Sequence, residues 1–96
     1  MNTSEIDLSK DFKLPADTLS KTLKGEEVLL DLNSGTYFGL DSVGTFIWQQ
    51  LQAEASGNTL LKAVTEEFKV DPDTAKKDLQ KFLSELLEKG LIEYTA

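Results

Sequence analysis

Between Leu40 and Val43 the hydrophobic pattern of this chain changes period. Before that point apolar and polar side chains alternate. After it, apolar residues recur every third or fourth position. An extended chain points successive side chains to opposite faces, whereas a helix gathers residues three and four apart into one stripe. The chain is therefore expected to place its strands first and its helices last.

Thr18 to Leu40 reads as strands. Val28, Leu30 and Leu32 share one side of an extended segment, and Leu29 and Asp31 share the other. Asn33-Ser34-Gly35 is a turn signal, because asparagine and glycine accept positive φ. Thr36-Tyr37-Phe38 restarts with strand formers, so Glu26–Leu32 and Thr36–Leu40 form a hairpin. A weaker strand, Leu19–Leu23, joins it through Lys24-Gly25. A lone hairpin is marginal, so the sheet needs this third strand or helices over one face.

Three helices follow. Asp41 or Ser42 caps the first, whose stripe is Val43, Phe46, Ile47, Gln50 and Leu51, with Trp48 on its flank. That helix fails near Ser56-Gly57-Asn58. Thr59 caps the second, which turns Leu60, Leu61, Val64 and Phe68 to the core. The third has Asp71 as N-cap, Pro72 in the first helical position and Asp73 adding charge there. Its stripe is Leu79, Phe82, Leu83 and Leu86, extended by Ala75 and Leu87. Gly90 suits the left-handed position after its end, with Leu91 packing back on Leu86. Ile92 and Tyr94 form a terminal strand or cover the core. The fold class is α+β: a winged-helix-like, three-stranded antiparallel sheet followed by three helices. One sheet face is poorly covered and its edges are open.

Composition bounds the chemistry. Ninety-six residues, 40% of them apolar, suit one domain with one core. Residues 1–17 are polar and read as a flexible N-terminal arm, tacked down at most by Leu8, Phe12 and Leu14. Residues 18–96 form the domain. Cysteine and histidine are absent, which removes the thiol nucleophile, the thiolate metal site and the usual general base. No apolar run approaches bilayer length, and the N-terminus lacks the pattern of a secretory signal. A cytoplasmic location is expected, with no membrane partner. The net charge is −7, and all ten basic residues are lysines. That balance fits either a solubilising surface or an acidic face for a basic partner.

Each chemical class can then be weighed on particular residues. Asp31, Asp41, Glu26 and Glu27 lie near one another in sequence, but they have no nucleophilic partner and read as turn, cap and surface acids rather than a catalytic pair. Asp71-Pro72-Asp73 does not continue at the spacing calcium needs. No cofactor and no metal is expected, and the chain reads as no enzyme. The third helix carries Lys76, Lys77 and Lys81, but Asp73, Asp78, Glu85 and Glu88 offset them, and there is no arginine fork for bases. A nucleic-acid role is not expected.

Leu40-Asp41-Ser42-Val43 resembles the Asp-Ser-Leu motif of acyl and peptidyl carrier proteins, in which the serine bears phosphopantetheine. That resemblance implies an alternative role for Ser42. Against it, carrier proteins place a long helix upstream, where this chain alternates, and valine replaces the usual leucine. A peptide groove accounts for more of the sequence. The edge of Thr36–Leu40 can take an extended peptide as another strand, with the third helix as a second wall.

The stretch from Val28 to Leu51 resembles the RiPP recognition element family, which includes PqqD and the small leader-binding proteins of lasso-peptide biosynthesis. The resemblance lies in Leu29-Leu30-Asp31, Gly35-Thr36-Tyr37-Phe38, Leu40 and the helix after Asp41. Downstream, Val70-Asp71-Pro72-Asp73, Leu79 to Leu87 and Gly90-Leu91-Ile92 resemble the family's last helix and ending. The resemblance spans roughly Thr18 to Glu93 and leans toward the lasso-type proteins. It implies a noncatalytic adaptor that binds the leader of a ribosomally made precursor and presents it to a separate protease or modifying enzyme. It places the leader on Thr36, Tyr37, Phe38, Gly39 and Leu40, against Lys76, Leu79, Gln80 and Leu83 of the third helix. The flank bearing Lys76 and Gln80 is the favoured one; Phe82 and Asp78 lie on the opposite flank. The absence of arginine departs from many relatives and removes an arginine grip on the leader.

Overall fold

A computed structural model describes residues 6, 8, 10–53 and 56–94. Its elements run β1 (Phe12–Lys13), β2 (Thr18–Leu23), β3 (Glu26–Asp31), β4 (Thr36–Gly39), α1 (Ser42–Gln52), α2 (Gly57–Phe68), α3 (Pro72–Glu88) and β5 (Glu93–Tyr94). The expected three-stranded antiparallel sheet is present, in the order β2-β3-β4, and three helices follow it. A second, two-stranded sheet pairs β1 with β5.

Local chemistry explains most boundaries. Lys24 and Gly25 both have positive φ and make the two-residue turn between β2 and β3. The β3–β4 turn is organised by Asp31. Its carboxylate accepts from the Asn33 amide and the Ser34 hydroxyl, both at 3.0 Å, and its carbonyl accepts from the Gly35 amide at 2.7 Å. Asp71 caps α3, accepting from the amides of Asp73 and Thr74, with Pro72 in the first turn. At the other end Gly90 has φ +73°. The Leu91 amide reaches back to the Leu86 carbonyl at 2.9 Å, and the Gly90 amide to Leu87 at 3.1 Å. This paired closure satisfies carbonyls the helix leaves open.

The core joins Leu29 of β3 to Ile47, Trp48 and Leu51 of α1, Leu60 and Val64 of α2, and Leu79, Leu83 and Leu86 of α3. Of the two faces of β3, the one bearing Leu29 is therefore the inner one. The outer face leaves Leu19, Leu23, Leu32 and Tyr37 half or more exposed.

Four expectations need correction. The α1 stripe is rotated toward Trp48, which is 1% exposed, while Val43 is 37% exposed. The indole is the largest side chain of the helix, so its burial sets which side faces inward. The α2 cap is Ser56, whose side chain accepts from the Thr59 amide. Glu27 is no surface acid: it is buried in β3, where its carboxylate accepts from the Thr22 hydroxyl.

The fourth concerns the expected arm over residues 1–17, part of which lies outside the described residues. In the described part, Leu8 and Phe12 are buried in the core and β1 pairs with β5. Gly57 permits this path. A Cβ there would stand 2.5 Å from the Leu8 carbonyl oxygen, a distance only glycine avoids. Leu8 and Phe12 are two of the three side chains expected to tack this segment down, and they suffice to dock it; the β1–β5 pairing is what the polar sequence did not signal.

Candidate functional site: the free edge of β4 and the cleft beside α3

β4 ends the three-stranded sheet, and among the described residues no strand lies beyond it. Its register pairs Val28 with Gly39, Leu29 with Phe38, Leu30 with Tyr37 and Asp31 with Thr36. The Leu40 amide donates to the Glu27 carbonyl at 2.9 Å. Hydrogen-bonded and non-hydrogen-bonded pairs alternate along an antiparallel ladder. Leu40, Phe38 and Thr36 therefore direct their backbone groups inward to β3. Tyr37 and Gly39 direct theirs outward. The vacant edge is thus two residues long and offers the amides and carbonyls of Tyr37 and Gly39.

Side chains alternate against the same frame. Phe38 lies on the inner face and packs on the core, and Tyr37 is 69% exposed on the outer face. Leu40 is half-buried, while Thr36 and Gly39 are exposed. Of the five residues expected from the sequence, Thr36 to Gly39 form β4 and Leu40 follows it directly.

The α3 residues do not assemble as expected. Lys76 is exposed, and Leu83 is fully buried in the core. Gln80 donates to the Ile6 carbonyl at 3.3 Å, so its flank faces the N-terminal segment. Leu79 is buried and reaches a cleft on the other side. It is the Phe82 flank that approaches β4. The Phe82 ring stands 3.2 Å from where a Cβ on Gly44 would lie, and Leu40 is 3.3 Å from the same point. Lys89, just past the end of α3, sits with Nζ 5.6 Å from the Phe38 ring centroid. Helical periodicity identifies both flanks of the stripe but not which neighbour each one meets. Lys89 carries no local sequence signal, since only the fold brings it to Phe38.

Where β4 ends, a cleft of about 340 Å³ opens between α1, α2 and α3. Its apolar walls include Val43, Ile47, Phe68, Val70, Leu79 and Phe82. The groove thus continues from a backbone edge into an apolar recess, the combination that extended-peptide sites use. Among the described residues no group of three acidic side chains is arranged to hold a metal, and no helix is long and apolar enough to cross a membrane.

The model of the family described as coenzyme PQQ synthesis protein D (PqqD) matches residues 26–92. The chain belongs to the PqqD family. Solved structures agree with that placement. One, described as TbiB1 in complex with the TbiA(beta) leader peptide, is 39% identical, covers 88% of this chain and 98% of that one, and superposes with a TM-score of 0.82. A lasso peptide synthetase B1 complexed with its leader peptide is 27% identical, covering 85% and 96%, with a TM-score of 0.78. The PqqD truncation of Methylobacterium extorquens PqqCD, described as a stand-alone RiPP recognition element, shares the fold at 18% identity, covering 97% and 99%, with a TM-score of 0.75. No curated protein matches the sequence. Membership in the PqqD family removes the carrier alternative for Ser42. That serine is an exposed first-turn residue of α1, and a sheet precedes it where a carrier has a helix.

Proposed function

We propose that this PqqD-family chain is a noncatalytic adaptor that captures the leader of a ribosomally made precursor peptide by strand addition to β4. The observation that carries this is the vacant edge at Tyr37 and Gly39, set beside the Phe82 flank of α3. The leader-bound TbiB1 and lasso B1 structures support it by their similarity. Backbone pairing fixes the peptide's direction and register, and the apolar recess selects side chains. The proposed peptide-contacting set is Thr36, Tyr37, Phe38, Gly39 and Leu40, with Leu79 and Phe82 of α3 and Lys89 just past its end. Lys76, Gln80 and Leu83 stand outside this proposed set: Lys76 is exposed on the other flank, Gln80 donates to the Ile6 carbonyl, and Leu83 is inside the core.

The adaptor's work is to raise effective concentration. Once the leader is held, the core peptide need not be met again from bulk solution by the separate protease or modifying enzyme that acts on it. That encounter is placed in the cytoplasm.

Amide hydrogen exchange tests the mode of binding, with the TbiA(beta) leader peptide as probe. Saturable binding should slow exchange at the Tyr37 and Gly39 amides, while the Phe38 amide, already bonded to Leu29, changes little. Saturable binding that leaves both outward amides unprotected rules out strand addition at this edge.

A further inference from the structure

Gly25, Gly35, Gly39 and Gly90 have open space where a Cβ would stand, but Gly44 and Gly57 are pressed by neighbours. The two differ in kind. Gly57 faces the backbone of Leu8, whereas Gly44 faces side chains, with the Phe82 ring at 3.2 Å and Leu40 Cβ at 3.3 Å. Gly44 lies in the first turn of α1 and has no positive φ. Its backbone is one that any residue adopts, and glycine is among the poorest helix formers. Local conformation therefore gives no reason for glycine there, and the contacts do.

Helix α1 is not free to retreat from those contacts. Thr45, the next residue, accepts from the Glu27 amide at 2.9 Å, and Ile47, Trp48 and Leu51 hold the helix in the core. The Asp41 oxygen, also 3.3 Å from the Cβ position, accepts from the Gly44 amide at 2.8 Å and belongs to the cap. A side chain at this position therefore displaces the two groups able to move, Phe82 and Leu40. Both are half-buried, and the open side of Phe82 is the cleft.

We propose that Gly44 is a positioning residue of the peptide groove. Having no side chain, it lets Phe82 of α3 and Leu40 at the end of β4 close over the first turn of α1, and so sets the gap that a strand added to β4 must fit. This rests on strand addition at β4 and deepens it by naming a residue that shapes the groove through Phe82. Close-packed groups shift rather than compress, so a methyl at position 44 moves the ring toward the added strand. The helix itself gains from the same change, because alanine is the better helix former. Fold and groove thus make opposite demands at this one position.

The test compares the parent chain with Gly44→Ala, Phe82→Leu and the double variant. Urea titration reads stability, and the anisotropy of fluorescein-labelled TbiA(beta) leader peptide reads affinity. Gly44→Ala should keep or raise the urea midpoint and weaken leader binding about tenfold. Phe82→Leu should also weaken binding, through lost ring contact. The double variant should bind tighter than Gly44→Ala alone, since the smaller side chain makes room for the methyl, and that departure from additivity is what an effect through Phe82 requires. A lowered midpoint in Gly44→Ala overturns the positioning role, because the strain then falls on the core. Parent-like affinity in Gly44→Ala, or losses that merely add, overturn it as well, and all three results leave strand addition standing. No saturable binding by the parent chain overturns leader capture and the positioning role together.

Discussion

The Glu27 amide donates to Thr45 Oγ1 at 2.9 Å, so a helix side chain takes the place a strand carbonyl would otherwise fill. The partner residue Leu40 still donates to Glu27, but the return bond goes to α1. This exchange stitches the middle strand to the first helix, and it lets the chain leave the sheet at Leu40 without stranding a buried amide. Thr45→Val keeps the shape and removes the acceptor. It should cost about 1–3 kcal/mol, the penalty for an unpaired buried donor, in urea titration followed by the emission of the single tryptophan, Trp48. Thr45→Ser should recover most of that loss.

Proline substitution separates the two sides of β4. Gly39→Pro removes an outward amide, a change an edge strand tolerates. It should leave the urea midpoint near that of the parent and weaken leader binding about tenfold, equivalent to about 1.4 kcal/mol. Phe38→Pro removes an inward amide of the β3–β4 ladder and should instead destabilise the fold. Calorimetric titration of both variants, with their melting curves, reads the two effects separately.

The two faces of the sheet predict opposite costs for similar residues. Leu29 is 0% exposed among α1 and α3 side chains, so Leu29→Ala should cost about 2–5 kcal/mol. Leu19, 51% exposed on the outer face, should tolerate Leu19→Thr within about 0.5 kcal/mol. Equal losses in chemical denaturation would mean that the outer face is covered in solution.

The α3 cap gives a smaller, local prediction. Asp71 accepts from two first-turn amides, at 3.1 Å from Asp73 and 3.3 Å from Thr74. Asp71→Ala should lower stability by about 1 kcal/mol, whereas Asp71→Asn, which retains a capping oxygen, should lose less. Thermal melts of the two variants give the comparison. Because α3 supplies Phe82 to the groove, the alanine variant should also raise exchange rates in the helix's first turn.

The turns and the caps of α1 and α3 were legible because each is decided within a few residues, whereas the α2 cap fell on Ser56 rather than Thr59. Lys24-Gly25, Asn33-Ser34-Gly35, Asp71-Pro72 and Gly90 mark their elements through φ preference and short-range hydrogen bonds, and the structure uses each of them. The strand Thr36–Gly39 was legible from its turn and its strand formers, whereas its place at the edge follows from the order in which the strands pair.

What tertiary packing alone decided is which neighbour each surface meets. Helical spacing shows that α3 has two flanks; only the docking of the N-terminal segment on Gly57 and Gln80 leaves the Phe82 flank for β4. Alternation shows that Val28 and Leu29 oppose each other, but the helices select Leu29 for the interior. The burial of Glu27 and the turn of Trp48 into the core follow from contacts across many residues, and no local pattern encodes those. The sequence by itself determined the three strands of the main sheet and the three helices, through local conformational preference. The fold decided the groove, because burial and facing depend on the whole set of packed surfaces at once.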